Sequence, residues 1–255
     1  MKNLFFSLFA LLFLQSYSQE QAPTQLRRFM QSAPSPVGST PYGANPKAGR
    51  YANAGDAKIY YEVYGKGKPI VVLHGGIFGS TYEMHQFIDS LKKTHQVIAV
   101  STRGHGKSEL GTNSITYEQK ANDVMAVVNA VTKDSVTVLG FSDGAYAGFK
   151  LASMYPGRVK KLIAIGASEI KPGVRDFTFN AKAAVALDTT YWNQQLKLMP
   201  QPQRLQDMFT QLGRMYNRLT LDSAFFATIQ CPVLVMAGDR DASNPVQRVV
   251  GTHQV

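Results

Sequence analysis

The sequence predicts an α/β fold built on an open, doubly wound and mostly parallel sheet. Nearly continuous apolar runs are typical of strands that a parallel sheet buries on both faces. Five such runs are present: Ile70–Leu73, Val97–Val100, Val136–Leu139, Leu162–Ile165 and Val233–Met236. Helical patterns separate them. The last two runs start 71 residues apart, which is too long for one crossover helix, so a helical cap is predicted at about 169–229.

The N-terminus has the pattern of a secretory signal peptide over residues 1–18. Lys2 supplies a positive charge, Leu4 to Leu14 is apolar except for one serine, and Ser16–Ser18 offers small residues for cleavage. The apolar run is too short to span a bilayer comfortably, so a membrane anchor is disfavoured. We therefore expect an exported, periplasmic or secreted protein that starts near Gln19 and has no stable membrane insertion after cleavage.

Residues 19–56 are rich in Gln, Ala, Pro, Ser and Gly and show no sustained period. Such a composition is typical of a flexible leader. The folded domain is therefore predicted over residues 57–255. Its first strand is predicted at Lys58–Tyr64, which is rich in β-branched and aromatic residues and is followed by a glycine.

Two capping boxes predict helix starts between the strands. Ser80–Glu83 precedes apolar residues on one helical face, namely Met84, Phe87, Ile88 and Leu91. Thr116–Gln119 precedes a second such face, formed by Val124, Val127, Val128 and Val131. A third helix is predicted from Ser142 to about Tyr155.

The charge and the cysteine count exclude several classes of function. The net charge is +10, but the basic residues are scattered without a block of five, so no nucleic-acid partner is predicted. The single cysteine, Cys231, excludes an intramolecular disulfide. No cluster of metal-ligand residues stands out, and Gly104–Gly106 lacks the third glycine of a dinucleotide site. Neither a metal nor a cofactor is therefore predicted.

Gly140–Gly144 (GFSDG) matches the pattern G-x-S-x-G directly after one predicted strand and directly before a predicted helix. A nucleophile elbow needs this context, because a tight strand-to-helix turn lifts the serine hydroxyl above the sheet edge. Ser142 is therefore the candidate nucleophile, and a chance glycine-rich turn is the alternative. An alcohol is a poor nucleophile at neutral pH, so Ser142 would need an adjacent base.

Together with three further blocks in order, the elbow resembles the α/β-hydrolase superfamily over about residues 57–255. Val72–Gly76 resembles its HG loop, Ser101–Ser108 resembles its D-x-R-G-x-G-x-S turn with serine in place of the first aspartate, and Gly238–Asp241 resembles its acid loop. The resemblance implies the α/β-hydrolase fold with a cap and no cofactor. It implies a serine hydrolase similar to small carboxylesterases and lactonases, acting on a small-molecule ester or acyl substrate.

The resemblance also implies roles for individual residues. Asp241 matches the acid that orients the catalytic base; the alternative is a group that caps its own loop, and Asp239 is the weaker candidate. The oxyanion hole is expected from the backbone N–H groups of Asp143 and Gly76; the alternative is that the glycines only form a tight turn. His74 is expected to support the HG loop.

The base is the uncertain part of this site. The family order is Ser, acid, His, and only His253 follows Asp241, after 12 residues. The helix and strand that normally intervene need more than about 20 residues. His253 also completes a helical spacing that begins after Pro245, with Val246, Val249 and Val250. His253 is thus the candidate base but is predicted to be a helix residue, and His105 is expected to serve its own turn.

Two functions follow from these observations. The first is a serine hydrolase that cleaves an ester, lactone or related acyl bond through an acyl-Ser142 intermediate. The second is a non-catalytic binding protein on the same fold, lacking the base. The short interval after Asp241 predicts that the sequence stops before the last strand, as a fragment or a degenerate homologue, and that it hydrolyses esters only weakly.

Overall fold

The computed structural model describes residues 25–171, 173 and 176–253. Its seven strands are β1 (Gly49–Asn53), β2 (Lys58–Tyr64), β3 (Lys68–Leu73), β4 (His95–Val100), β5 (Val136–Phe141), β6 (Val159–Ile165) and β7 (Val233–Met236). They form one sheet in the order β1-β2-β4-β3-β5-β6-β7, antiparallel at β1-β2-β4 and parallel beyond. The predicted mostly parallel sheet is confirmed. The predicted signal peptide lies outside the described residues.

Eight α-helices accompany the sheet in the described part of the chain. They are α1 (His85–Leu91), α2 (Tyr117–Val131), α3 (Asp143–Met154), α4 (Ala181–Leu187), α5 (Thr189–Leu198), α6 (Leu205–Arg218), α7 (Ser223–Phe226) and α8 (Val246–His253). Alternate residues of β3 enter two different apolar cores, Val71 and Leu73 with α2 and α3, Ile70 and Val72 with α1. The central strands are therefore buried on both faces, as predicted.

The N-terminal segment differs from the flexible leader predicted over residues 19–56. Within its described part, β1 pairs with β2, and Leu26 and Tyr42 are buried in the core on the α1 side. The buried Glu62 carboxylate accepts hydrogen bonds from the backbone N–H groups of Gly43 and Asn45, both at 2.8 Å. The segment packs through single side chains without a repeating period, so composition alone did not reveal it.

The predicted capping box at Ser80 is wrong. Ser80 makes no side-chain cap bond, and a 3-10 turn over Thr81–Met84 precedes α1. Glu83 bonds the backbone N–H of Gly75 instead, at 2.8 Å. Phe87, placed on the apolar face by its spacing, is 42% exposed. The loop before α1 uses the Glu83 side chain to bond the neighbouring glycine loop. This tertiary contact replaces the helix cap that the local pattern predicts.

The helix start predicted by the second capping box is confirmed through its N-cap bond, while the Gln119 side chain bonds Asp123 instead. Thr116 Oγ1 accepts a hydrogen bond from the Gln119 N–H at 3.0 Å, and α2 begins at the next residue, Tyr117. The expected face of α2 is buried through Val124, Val127 and Val128. This helix packs against α3, which begins at Asp143, one residue after the predicted start at Ser142.

Helices α4 to α7 lie between β6 and β7, where the sequence predicts a cap. The apolar face of α6 is buried through Leu205, Met208, Phe209, Leu212, Met215 and Tyr216. β7 contradicts the expectation of burial on both faces, because three of its four residues are exposed. Among the described residues, no helix combines the length and apolarity needed to cross a membrane.

Candidate active site

Ser142 lies in the sharp turn between β5 and α3, with φ +52° and ψ −116°. A positive φ is unfavourable for a side chain with a Cβ and persists only where the surroundings enforce it. A methyl group on Gly144 would lie 2.6 Å from the carbonyl oxygens of Leu73 and His74, and one on Gly140 would overlap the carbonyl of Gly144. Both glycines of the elbow are therefore required by close backbone packing.

The turn places the start of α3 directly behind the serine. The Ser142 carbonyl accepts hydrogen bonds from the N–H groups of Ala145 and Tyr146, at 2.9 and 3.1 Å. Asp143 is the first residue of α3, and first-turn N–H groups have no partner within their own helix. They also form the positive end of the helix dipole. The Asp143 N–H is therefore suited to stabilise negative charge beside Ser142.

Ser142 lines a cavity of about 270 Å³. Asp143, Gly76 and Asn244 share this cavity, and its walls are largely aromatic: Phe78, Tyr117, Phe141, Tyr146, Phe177, Phe179 and Tyr216. A larger cavity of 450 Å³ lies between the start of α2 and α6 but contains no residue of the elbow. The candidate site is therefore identified by the elbow serine that lines it and not by its volume.

The glycine loop after β3 forms another part of the cavity wall and contacts the start of α3. The Gly75 N–H donates to Glu83 Oε2 at 2.8 Å, so this N–H is already used. Gly76 adjoins Asp143, since a methyl group on Gly76 would lie 3.1 Å from Asp143 Cβ. The two predicted oxyanion residues, Gly76 and Asp143, therefore lie next to each other in the cavity that Ser142 lines.

His74 stabilises this loop through hydrogen bonds at both ring nitrogens. Its Nε2 accepts a hydrogen bond from the Thr102 N–H at 3.0 Å, so Nδ1 carries the proton and donates to the Gly75 carbonyl at 2.7 Å. Burial, together with the nearby His105, holds the pKa of His74 well below its ordinary value. A fully buried, neutral imidazole with both nitrogens bonded is a loop support, which is the role that the family resemblance implies.

His105 occupies its own turn, as expected. Its Nδ1 lies 3.1 Å from Thr102 Oγ1 and 3.2 Å from the Arg103 carbonyl. Burial and, second, the charge of Lys120 lower the pKa of His105 to about 4. Its ring meets that of His74 edge to face, with centroids 5.0 Å apart. His105 is therefore neutral at pH 7.

The structure reveals a buried ion pair beneath the elbow that the sequence analysis missed. Lys120 on α2 pairs with the Asp143 carboxylate, and the two residues are 1% and 3% exposed. The Tyr117 hydroxyl donates to the other carboxylate oxygen at 3.0 Å. One signal was available: Lys120 lies four residues before Val124, so it falls on the apolar face of α2.

Glu83 is a second missed residue, and it lines the same cavity as Ser142. Burial raises the pKa of Glu83 to about 6, although the hydrogen bond from Gly75 and the charge of Arg28 act in the opposite direction. A carboxyl group that titrates near pH 6 therefore borders the candidate nucleophile. The sequence pattern assigned Glu83 to a capping box, so its position in this cavity was not predicted.

Asp241 lies in the loop after β7. Its Oδ1 accepts hydrogen bonds from the N–H groups of Ser243 and Asn244, both at 2.9 Å, which is the loop-capping contact foreseen as the alternative. Its Oδ2 lies 3.5 Å from the position of a Cβ on Gly166, the residue after β6. Asp241 therefore lies at the carboxyl edge of the strands, and its role as the catalytic acid stays a prediction.

Asn244, also missed, joins this loop to the elbow side. Its Nδ2 donates to the Gly166 carbonyl at 2.7 Å, and its Oδ1 accepts from the hydroxyls of Tyr146 at 2.7 Å and Ser168 at 3.1 Å. Tyr146 belongs to α3, so the asparagine holds the acid loop against the helix that follows Ser142. A local sequence pattern does not predict a contact between residues that are 98 positions apart.

His253 is the last residue of α8, so the prediction that it lies in a helix is confirmed. The preceding residue, Thr252, accepts a hydrogen bond through Oγ1 from the Glu169 N–H at 2.8 Å. This contact anchors the end of α8 to the segment that follows β6. The assignment of His253 as the base stays a prediction.

The sequence and the fold are similar to those of known proteins. The sequence model of the alpha/beta hydrolase fold family matches residues 69–220, more than half of the chain. Serine hydrolase BPHL of Mus musculus is 27% identical over 73% of this chain and 68% of its own length. Esterase YbfF of Escherichia coli is 32% identical over half of each chain.

Solved structures share the fold. A serine hydrolase involved in carbazole degradation (CarC) superposes with a TM-score of 0.66 at 22% identity, covering 81% of this chain and 85% of that one. An esterase from Exiguobacterium antarcticum gives a TM-score of 0.60 at 24% identity over 81% and 87%. In contrast, the chain spans less than half the length of several curated bacterial relatives, namely 42%, 34% and 41%.

Proposed function

Because the chain belongs to the α/β-hydrolase family, we propose that it is a serine hydrolase that cleaves an ester, lactone or related acyl bond. The observation that carries the proposal is Ser142 in a left-handed turn between β5 and α3, facing a shared cavity with two candidate oxyanion donors. Relatives whose names state serine hydrolase or esterase activity support the same class.

The reaction follows from these groups. Ser142 Oγ attacks the acyl carbon, and the negative charge that develops on the carbonyl oxygen meets the N–H groups of Asp143 and Gly76. Loss of one such donor typically costs about 10² to 10³ in rate. The carbonyl re-forms as the bond to the leaving alcohol breaks, and water then hydrolyses the acyl-Ser142 ester by the same steps.

Both halves of the reaction need a base that takes the Ser142 proton and later returns one to the leaving group. His253 is the candidate that follows Asp241 in chain order, but its position at the end of α8 disfavours it. Asp241 lies at the carboxyl edge of the strands and is hydrogen bonded to its own loop. The proposal therefore rests on the nucleophile and the two oxyanion donors.

A fluorophosphonate probe tests the nucleophile. Wild-type chain is expected to be labelled, and Ser142→Ala is expected to lose all labelling. Ser243→Ala is the matched control, since Ser243 is a second serine that lines the same cavity. Labelling that persists in Ser142→Ala but disappears in Ser243→Ala would overturn the assignment.

A binding protein without catalysis is the second candidate. It is favoured by the engagement of Asp241 in its own loop and by the position of His253 at the end of a helix. Turnover of p-nitrophenyl acetate separates the two functions. Slow turnover is expected for the enzyme, because His253 lies at the end of a helix and is a poor candidate for the base. Saturable binding of the ester without any Ser142-dependent release of p-nitrophenol would favour the binding protein.

We also propose that the protein is exported, on the basis of Lys2, the apolar run from Leu4 to Leu14 and the small residues of Ser16–Ser18. Mass spectrometry of the native protein is expected to find an N-terminus near Gln19. A mature, soluble protein that retains Met1 would contradict export.

A further inference from the structure

A second cavity adjoins the one that contains Ser142. It measures about 680 Å³, and the two share Phe78, Glu83 and Phe141 as lining residues. On one side it is bounded by residues 82–87, around the start of α1. On the other side it is bounded by residues 28–36, which are called the N-terminal wall below.

The N-terminal wall is held in place against the cap by contacts that begin at the adjoining Arg27. The Arg27 guanidinium pairs with Asp188 at 3.1 Å, and the Met30 N–H donates to the same carboxylate at 2.7 Å. Phe29 stacks on Phe78, with ring centroids 4.3 Å apart. The wall therefore has a defined position beside the mouth of the first cavity.

This wall lies outside the part of the chain that matches the family. The family match begins at residue 69, whereas the wall ends at residue 36. The second cavity is thus formed between the region that the family model matches and a segment that precedes it.

The size and chemistry of the two cavities indicate what they would hold. Binding sites for small organic ligands usually measure about 300 to 1,000 Å³, so the first cavity alone is small and the second falls within that range. Apolar side chains form a continuous part of the lining of the second cavity, through Phe29, Met30, Phe78, Met84, Phe87 and Phe141, and polar groups of Gln31, Ser32, Ser35, His85 and Gln86 form much of the rest.

The charges at the junction favour an uncharged ligand. Glu83 belongs to both cavities, and its carboxyl group is bonded to the Gly75 N–H. The cation of Arg28, which also lines the second cavity, interacts with Glu83. One acid and one base therefore offset each other, and neither an anionic nor a cationic chain is selected.

We propose that the two cavities form one continuous cleft for esters of medium-chain fatty acids. The reacting carbonyl lies at Ser142, and the alkyl chain extends past Phe78 and Phe141 to the N-terminal wall. This inference rests on the proposed function for the position of the carbonyl. The binding preference itself needs no reaction.

Equilibrium calorimetry on the Ser142→Ala full-length chain tests the cleft without turnover. p-Nitrophenyl octanoate is expected to bind at least about tenfold more tightly than the butyrate, because the additional methylenes are buried. Ala33→Trp, in the same background, is expected to weaken octanoate binding about tenfold and to change butyrate binding less than about twofold. Ala33 is exposed on the wall, so the larger side chain projects into the second cavity without disturbing the core.

Val37→Trp is the matched control, since Val37 is 93% exposed and lies just beyond the wall. It is expected to leave both affinities unchanged. If Ala33→Trp lowers the melting temperature, Ser32→Trp replaces it, because Ser32 is also exposed and lines the same cavity. Equal affinities for the two esters, or octanoate binding that neither variant weakens, would overturn the cleft. Failure of fluorophosphonate labelling would instead refute only the serine mechanism.

Discussion

The two sides of the candidate site differ in how firmly they are built. The nucleophile side, β5 with α2 and α3, is buried: Val138 of β5 is fully inaccessible, and close backbone contacts surround Ser142. The acid side, β7 with the Asp241 loop and α8, is open: Leu234 of β7 is 54% exposed. The loop on this side is attached mainly by the hydrogen bonds of Asn244.

The difference shows where backbone strain can be maintained. A left-handed serine costs free energy that only dense packing on all sides can offset. The nucleophile side has this packing, together with a buried ion pair beneath it. The acid side has few such constraints, so small free-energy changes there can shift Asp241 relative to Ser142. Five predictions test this contrast, from the largest expected effect to the smallest.

Lys120→Met is expected to lower the free energy of unfolding by about 3 to 5 kcal/mol, because it leaves the buried Asp143 carboxylate without its cation. Urea denaturation measures the loss. The double variant Lys120→Met/Asp143→Asn is expected to recover part of it, since both buried charges are then absent. Lys150→Met, which breaks a more exposed pair with Glu118, is the control and is expected to cost less than about 1 kcal/mol. Equal losses for Lys120→Met and Lys150→Met would contradict the importance of the buried pair.

Gly144→Ala is expected to destabilise the fold by about 2 to 3 kcal/mol, since the added methyl group meets two backbone carbonyls at 2.6 Å. Thermal denaturation and fluorophosphonate labelling are both expected to show the damage. Gly157→Ala is the control, because nothing lies within 4 Å of its added methyl group. If the two variants melted at the same temperature, the packing argument for the elbow would fail.

Glu83→Gln is expected to stabilise the protein above pH 6 and to have little effect below pH 4.5. The folded pKa is raised to about 6 from an ordinary value of 4.5, so the folded chain holds the proton longer than the unfolded chain does. Stability from this group is therefore lost as pH rises from 4.5 to 6, by up to about 2 kcal/mol. Melting temperatures at several pH values check this.

Glu118→Gln is the control for this pH dependence, with the opposite sign. Although partial burial opposes it, the hydrogen bond from Lys150 lowers the pKa of Glu118, so the ionised form stabilises the fold. Its substitution is expected to reduce stability near pH 7. A pH-independent effect of Glu83→Gln would mean that the carboxyl group is not held in a desolvated position.

Leu234→Ala on β7 is expected to cost less than about 1 kcal/mol, because much of the side chain is already in water. Val138→Ala on β5 removes fewer atoms but is expected to cost about 2 kcal/mol, since its site is fully buried. Denaturant unfolding of both variants compares the two sides directly. A larger loss for Leu234→Ala would show that β7 is covered in solution.

His253→Ala is expected to change the rate of fluorophosphonate labelling less than about twofold, because a residue at a helix end on the open side is poorly placed to activate Ser142. A time course of labelling of the wild type and the variant measures this rate. Complete loss of Ser142 labelling and of ester turnover would instead identify His253 as the base and refute the argument from helical spacing.

The sequence by itself determined the features that depend on neighbours along the chain. The elbow at Ser142, the cap of α2 at Thr116 and the buried strands all follow from local constraints, since a tight turn, a helix start or a buried strand restricts nearby residues. The same reasoning failed at Ser80 and Glu83, where a capping pattern was present but the carboxyl group bonded Gly75 instead. A local pattern indicates which hydrogen bonds a side chain can form, and tertiary packing determines which of them forms.

Only the tertiary structure decided which distant groups meet. Lys120 and Asp143 are paired beneath Ser142, Asn244 holds the Asp241 loop to α3, and the segment before β1 forms a wall of the second cavity. Each contact joins elements far apart in sequence, and each forms only after the sheet has brought these elements together. The spacing of residues along the chain does not indicate these contacts, which is why the turn at Ser142 was predictable and the residues that support it were not.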